Sequence, residues 1–168
     1  MTIKYGVFPC TLGRILVAAN DEGVCFISLG DDDRQLEQEL SARFADEGLE
    51  QDADAVQRWA EPLQEYLRGQ MQDLDIPLAV TATPFQQRVW REVARIPRGA
   101  TRTYKEVAAA VGKPGAARAV ARACAANPVA VVVPCHRVVR TDGSISGFRW
   151  GIQRKLALLA MESGQAAT

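Results

Sequence analysis

Cys135 and His136 are adjacent residues whose side chains could perform nucleophilic chemistry. A thiolate is a strong nucleophile, but at an ordinary pKa of about 8.5 only a few per cent of a thiol is ionised at neutral pH. A base is therefore needed, and His136 is the only histidine in the chain. Cys135 follows Pro134 and precedes Arg137 in a basic part of the chain, a setting that lowers a thiol pKa. The alternative is a cysteine that serves only packing.

The base must be brought to the sulfur and oriented there. Neighbouring side chains of an extended segment point in opposite directions, so Cys135 and His136 cooperate only through a turn at Pro134 or a bridging water, and we expect the water. A carboxylate usually orients such a histidine, and four acidic residues follow residue 80: Glu92, Glu106, Asp142 and Glu162. We favour Glu162, which the last helix can return to the site. A solvated carboxylate at a helix end is the alternative.

The segment before Cys135 has the pattern of a helix-turn-helix. Thr103 can cap a helix through Val111, and a Gly-Lys-Pro-Gly break separates it from a second helix over residues 116–126. Seven of those eleven residues are alanine, and Arg118 and Arg122 share one face. Such a bare, basic helix can approach a groove of nucleic acid closely. Tight packing on a neighbouring helix explains the alanines equally well.

Other elements follow from hydrophobic patterning and turn residues. In the first half we predict two strands, at residues 12–18 and 24–29, joined by a hairpin turn. Two helices are predicted around Leu36 and Trp59. In the second half, Thr83 and Pro84 can open a helix. We also predict a buried strand at residues 129–133, a glycine-rich loop at residues 141–151 and a last helix at residues 152–161.

Charge divides the chain near residue 80, where we place a domain boundary. Residues 1–80 carry 6 basic and 16 acidic side chains, whereas residues 81–168 carry 14 and 4, which gives net charges of −10 and +10. This asymmetry indicates a polyanionic partner for the basic half, with attraction between the halves as the alternative. The 168 residues, 48% of them hydrophobic, suffice for one domain or two small ones.

Several classes of protein are disfavoured by composition. No apolar run approaches the roughly 20 residues of a membrane span, and the first residues do not resemble an export signal, so we expect a cytoplasmic protein that does not enter membranes. The four cysteines lack CxxC spacing, and a single histidine leaves few zinc ligands. We therefore expect no metal, no cofactor and no disulfide scaffold.

The sequence Pro134-Cys135-His136-Arg137-Val138-Val139, preceded by Asn127-Pro128, resembles the active-site signature of the O6-alkylguanine-DNA alkyltransferases. Four further segments match that family in order and spacing: Phe85-Gln86-Gln87-Arg88-Val89-Trp90, Thr103-Tyr104, Ala117-Arg118-Ala119-Val120 and Ser146-Gly147-Phe148. The first half matches more loosely. Two segments look closest to the C-terminal half of bacterial Ada-type regulators: Cys124-Ala125-Ala126-Asn127 and Arg149-Trp150-Gly151.

This resemblance implies an α/β protein with a ribonuclease-H-like domain over residues 1–80 and a winged-helix-like domain, containing the helix-turn-helix, over residues 81–168. It implies a single-turnover reaction in which Cys135 irreversibly accepts the alkyl group of O6-alkylguanine, and of O4-alkylthymine, in double-stranded DNA. The nucleotide must be everted from the duplex. It further implies a monomer that binds the DNA minor groove and needs no obligate protein partner.

The resemblance also assigns roles at the reacting centre. It implies that His136 is the base acting through water, that Glu162 orients it, and that Tyr104 hydrogen-bonds N3 of the departing purine. Asn127 resembles the residue that joins the helix-turn-helix to the active-site segment. Backbone groups of Cys135 and Val138 would accept hydrogen bonds from the guanine amine.

The remaining assignments concern DNA and the pocket wall. Arg118 resembles the family's intercalating arginine, with an ordinary phosphate contact as the alternative, and three neighbours on its helix are also expected to contact DNA: Ala117, Ala119 and Arg122. The Arg149 amide would donate to O6. Trp150 departs from the expected small residues, and we hypothesise that it restricts the pocket to small alkyl groups.

Three other functions compete with this interpretation. An alkyltransferase-like damage sensor lacks the reactive cysteine, so Cys135 argues against it. A helix-turn-helix transcription factor with a packing cysteine fits the basic half. A cysteine hydrolase needs an oxyanion hole, for which the sequence carries no signal.

Overall fold

The computed structural model describes residues 2–145 and 147–164, so Ser146 of the matched segment lies outside the described residues. The chain forms two compact units. The first comprises the described residues up to Val80 together with Pro128–Ala130. The second comprises Thr81–Asn127 and the described residues from Val131 onward.

The first unit is built on a four-stranded sheet with the order β3-β2-β1-β4. Its strands are β1 (Thr2–Cys10), β2 (Gly13–Asn20), β3 (Gly23–Gly30) and β4 (Gly48–Gln51). The first three are antiparallel neighbours, and β4 runs parallel to β1. The predicted hairpin is confirmed, and the Asn20 side chain accepts a hydrogen bond from the Glu22 amide within its turn. The sequence prediction did not include β1 or β4.

Two helices flank this sheet, α1 (Asp33–Arg43) and α2 (Ala53–Leu67). Each begins at an aspartate N-cap, Asp32 and Asp52, whose side chain accepts a backbone N–H of the first turn. α1 contributes Leu36 and Leu40 to a core with strand residues such as Phe26. Both helices lie where they were predicted, α1 around Leu36 and α2 around Trp59, and the prediction is confirmed.

The second unit consists mainly of four helices: α3 (Pro84–Ala94), α4 (Tyr104–Ala110), α5 (Ala117–Ala125) and α6 (Ile152–Glu162). Thr83 and Thr103 each form a capping box with the residue three positions later, which fixes the starts of α3 and α4. α4 and α5 pack on each other and on α3, and the Trp90 indole donates to the Ala123 carbonyl at 2.8 Å. These contacts with α3 fix the position of the helix-turn-helix segment.

Two short strands, β5 (Arg102–Thr103) and β6 (Val138–Val139), pair in parallel beside these helices. β6 directly follows a 3₁₀ turn at Cys135–Arg137. The predicted class is confirmed as a mixed α/β architecture, with a sheet domain followed by a mainly helical domain. No helix among the described residues is long and apolar enough to cross a membrane.

The predicted strand over residues 129–133 is wrong. Only Val129 forms a β-bridge, to Ile27, and the following residues turn instead of extending. Val131 has a φ of 71°, a left-handed conformation that is costly for a β-branched residue. Burial was predicted correctly, but tertiary contacts overrode the strand propensity of the valines.

Thr83→Ala should destabilise the second unit by about 1 kcal/mol, because it removes the N-cap acceptor of α3. Thr101→Ala, at an exposed position outside any helix or strand, is the matched control. Urea unfolding followed by circular dichroism measures both. Equal midpoints for the two variants would show that the capping box contributes nothing to stability.

Candidate active site

Cys135 lies at the first residue of the 3₁₀ turn that follows Pro134. Its amide donates to the Val133 carbonyl, and the Arg137 amide donates to the Pro134 carbonyl. The backbone therefore turns at Pro134, which was one of the two ways in which Cys135 and His136 could cooperate. Cys135 is only 3% exposed, and it lies against a cavity.

The cavity has a volume of about 920 Å³ and lies entirely within the second unit. Tyr104 lines it from the start of α4, and several α5 residues form another wall: Ala117, Arg118, Ala121 and Cys124. Gly147, Phe148 and Arg149 line it from the glycine-rich loop. The buried thiol residue Cys135 and the helix-turn-helix therefore line the same cavity.

His136 is fully buried, and its Nε2 lies 2.9 Å from Oε1 of Glu162. Burial lowers the pKa of His136 more than the neighbouring Glu162 raises it, so the neutral imidazole is favoured. With Nε2–H donating to the carboxylate, Nδ1 is the basic nitrogen. Nδ1 is buried and has no hydrogen-bond partner among the described residues.

Glu162 is held by Arg137 as well as by His136. Arg137 donates Nε to Oε1 at 2.9 Å and Nη2 to Oε2 at 2.7 Å, a bidentate pair. Its Nη1 donates to the Ile96 carbonyl at 2.7 Å. Sequence reasoning treated Arg137 only as nearby positive charge. The structure places it as the direct partner of the carboxylate.

The expected low pKa of the thiol is wrong for the protein alone. A side-chain hydrogen bond with Cys124 and burial raise the pKa of Cys135 well above its usual value. Contact with Asn127 and the charge of Lys155 lower that pKa, but by less. The local positive charge was recognised from the sequence, whereas the opposing burial and the second thiol were not.

Lys155 is a residue of the site that sequence reasoning missed. It is completely buried on α6, and Nζ donates to the Val138 carbonyl at 2.7 Å. Nζ also lies 5.9 Å from the centre of the Tyr104 ring. The available signal was its spacing, since Lys155, Leu158 and Glu162 fall on one face of the helix and are its buried residues.

The structure brings Asn127 close to the reacting centre. Asn127 is buried between α5 and the turn that leads to Cys135, and its Nδ2 donates to the Val133 carbonyl at 2.9 Å. Its own carbonyl accepts from Nη1 of Arg149 at 2.7 Å. The Val138 carbonyl already accepts from Lys155, and the Cys135 carbonyl accepts from the Val138 amide. Each of these carbonyls keeps a second lone pair.

The remaining predicted residues divide into two groups. Arg118 is exposed and lines the cavity together with Ala117. Among the residues the structure describes, those lining the cavity do not include Ala119, Arg122 or Trp150. Trp150 is buried and packs edge-on against Phe148 with ring centres 5.2 Å apart. The hypothesis that Trp150 itself narrows the pocket is therefore corrected, because Phe148 is the wall and Trp150 supports it.

Two family models match the chain. The ribonuclease-like domain of 6-O-methylguanine DNA methyltransferase matches residues 3–80, and the DNA-binding domain of the same protein matches residues 84–164. The chain belongs to this family. A methylated-DNA–protein-cysteine methyltransferase of Methanosarcina barkeri is 35% identical over 94% of this chain and 96% of that protein.

Two further relatives extend the comparison. The bifunctional transcriptional activator/DNA repair enzyme Ada of Escherichia coli is 44% identical over 97% of this chain but only 46% of that protein, so the chain spans about half the length of that relative. The crystal structure of Mycobacterium tuberculosis OGT in complex with DNA aligns with a TM-score of 0.83 at 33% identity, over 97% of this chain and 94% of that chain.

Arg137→Gln should raise the pKa of His136. The guanidinium now opposes protonation of the ring, whereas a Glu162 carboxylate left without it would favour the imidazolium. Because the chain has one histidine, NMR of its ring protons against pH reports that pKa directly. The parent should titrate below about 6.5, the ordinary value.

Arg95→Gln is the control for this titration, since Arg95 is exposed and makes only a 3.5 Å ion pair with Glu92. It should leave the titration unchanged. Circular dichroism establishes that both variants are folded. An unchanged or lower pKa in Arg137→Gln would contradict the charge balance assigned to this group.

Proposed function

We propose that this chain repairs alkylated DNA by transferring the alkyl group from O6-alkylguanine to its own Cys135. The observation that carries the proposal is a buried thiol at the wall of a cavity that the helix-turn-helix also lines, next in sequence to a neutral histidine paired with Glu162. The cavity volume of about 920 Å³ lies within the range typical of sites for small organic groups. Family membership supports the same reaction.

The proton of the thiol leaves through His136. A water between Sγ and Nδ1 carries it to the ring, and the carboxylate of Glu162 stabilises the resulting imidazolium through Nε2–H. The raised pKa of Cys135 means that the protein stores its nucleophile as a thiol. The thiolate is then formed when substrate fills the cavity, and the unliganded protein reacts with other electrophiles more slowly than a free thiolate would.

The transfer is a displacement at the alkyl carbon. The Cys135 thiolate forms the new C–S bond as the C–O6 bond breaks, and the bonding electrons stay with the purine. Tyr104, which lines the cavity, donates a hydrogen bond to N3 and so helps to neutralise the departing base. The proton taken from the thiol finally resides on guanine. Because the thioether is stable, each molecule acts once. The same steps apply to O4-alkylthymine.

Asn127 positions the nucleophile. Its Nδ2 fixes the Val133 carbonyl, which in turn accepts the amide of Cys135, and its side chain also contacts the sulfur. Lys155 helps through its charge, which lowers the pKa of the thiol. Both act on a thiolate that would otherwise be destabilised by burial.

The guanine base is recognised by backbone groups of Cys135 and Arg149, which line the cavity, and of Val138, which directly follows the 3₁₀ turn. The carbonyls of Cys135 and Val138 accept from its exocyclic amine, and the amide of Arg149 donates to O6. Phe148 lies at the wall against which the base packs, with Trp150 behind it.

DNA binds along α5, and the reactive nucleotide is everted into the cavity. Arg118 fills the space left in the stack, since it is exposed at the cavity edge. Ala117 and Ala119 allow the helix to approach the minor groove closely, and Arg122 contacts phosphate. One chain supplies all of these residues, which supports action as a monomer.

Incubation with duplex DNA containing O6-methylguanine should add a single methyl group to Cys135, at no more than one per protein molecule. Cys135→Ser should accept none, whereas Cys25→Ser, at a buried thiol of the first unit, should react like the parent. Mass spectrometry of the intact protein and of its peptides measures the transfer. Repair of several lesions per molecule, or methylation elsewhere, contradicts the proposal.

Arg118→Ala should slow methyl transfer from duplex DNA by at least about tenfold, since eversion costs a few kcal/mol and 1.4 kcal/mol corresponds to a factor of ten. The loss should be much smaller on single-stranded DNA, from which no base must be unstacked. Arg122→Ala is the control, and its effect should be weaker and should fade as salt rises. Equal losses for the two variants on both substrates would show that Arg118 is only a phosphate contact.

A further inference from the structure

Cys124 is a thiol at the site to which the proposed reaction gives no role. It lies in the last turn of α5, is buried, and lines the same cavity as Cys135. The two side chains share a hydrogen bond. Cys25 is also buried, but it does not line this cavity, its thiol donates to the Ala18 carbonyl, and burial raises its pKa to about 11.

The surroundings of this thiol pair favour sulfur chemistry. Both cysteines interact electrostatically with Lys155, whose charge lowers the pKa of Cys135. Both residues line the cavity, although each is less than 9% exposed, so the cavity is the route by which a small molecule would reach the sulfurs. The Cys124–Cys135 pair is therefore a dithiol that a small oxidant can reach.

The connection between the two cysteines is short. They lie eleven positions apart in sequence, and the intervening chain includes Asn127 and the left-handed Val131. A disulfide has an S–S length of about 2.05 Å, and two cysteines that line one cavity and interact with each other can reach it by a further approach of their side chains. Cys124 is near the end of a helix and Cys135 begins a 3₁₀ turn, where such adjustment is easiest.

We propose that Cys124 is a resolving thiol, which forms a reversible disulfide with Cys135 when a hydroperoxide reaches the cavity. The Cys135 thiolate attacks the peroxide, the O–O bond breaks, and Cys135 becomes a sulfenic acid while the other oxygen leaves as an alcohol or water. Cys124 then attacks the sulfenic sulfur and water departs. In sum, two thiols are oxidised to a disulfide and one hydroperoxide is reduced to an alcohol and water.

The disulfide protects the nucleophile from permanent loss. A sulfenic acid that meets more peroxide becomes sulfinic acid, which is not reduced by thiols, whereas a disulfide is restored by thiol exchange. The disulfide also suspends alkyl acceptance by Cys135, and this consequence rests on the proposed function. The formation of the disulfide does not, because it requires only the two sulfurs and the oxidant.

The test uses the full chain, reduced and then exposed to excess hydrogen peroxide. Remaining thiols are blocked with iodoacetamide in denaturant, and the protein is digested with trypsin without reduction. Both cysteines fall in one tryptic peptide, residues 123–137, because arginines occupy positions 122 and 137. In the parent this peptide should be lighter by two hydrogens and carry no iodoacetamide adduct, and dithiothreitol should restore both thiols.

Cys124→Ser and Cys124→Ala should lose the reducible species and accumulate sulfinic acid at Cys135. Cys25→Ser is the matched control and should give the same oxidised peptide as the parent. Circular dichroism checks the fold of each variant. The inference is wrong if the parent forms sulfinic acid at Cys135 as fast as Cys124→Ser does, or if its peptide carries two iodoacetamide adducts. A disulfide in a protein that accepts no methyl group would support the inference and reject the proposed function.

Discussion

The carboxylate of Glu162 is buried and is bound by two side chains. Its Oε1 accepts from His136 and from Nε of Arg137, and its Oε2 accepts from Nη2 of Arg137. A buried carboxylate without partners would be strongly destabilising, so the bidentate guanidinium is what permits a negative charge at this place. That charge in turn fixes the histidine with Nε2–H toward Glu162 and leaves Nδ1 basic. The last helix, the 3₁₀ turn and the end of α3 are joined through this one group, since Arg137 also binds the Ile96 carbonyl.

The thiol is subject to two opposing effects. Burial and the neighbouring Cys124 raise the pKa of Cys135, whereas Asn127 and Lys155 lower it. A nucleophile that is mainly protonated in the unliganded protein reacts faster with a substrate held in line with it and with its base than with other electrophiles. Under the proposed single-turnover reaction, this preference preserves the sulfur until the correct base arrives.

The chain between α5 and Cys135 adopts a conformation that its residue types do not favour. Val131 is left-handed, although a β-branched side chain makes that region costly. The segment is held by the bridge between Val129 and Ile27 and by the bond from Asn127 to the Val133 carbonyl. Local strain here is the consequence of delivering the cysteine to the cavity wall at a fixed place and angle.

The sequence by itself determined what depends on residue type and local pattern: the hairpin, the helices and their threonine caps, the division of charge near residue 80, and the pairing of a nucleophile with its only histidine. The choice of Glu162 for that histidine also agrees with the observed geometry. Only the tertiary structure decided the turn at residues 129–133, the raised pKa of Cys135, the roles of Arg137 and Lys155, and the position of Trp150 behind Phe148. Propensity and spacing act over a few residues, whereas burial, charge pairing and contact between thiols depend on groups that only folding brings together.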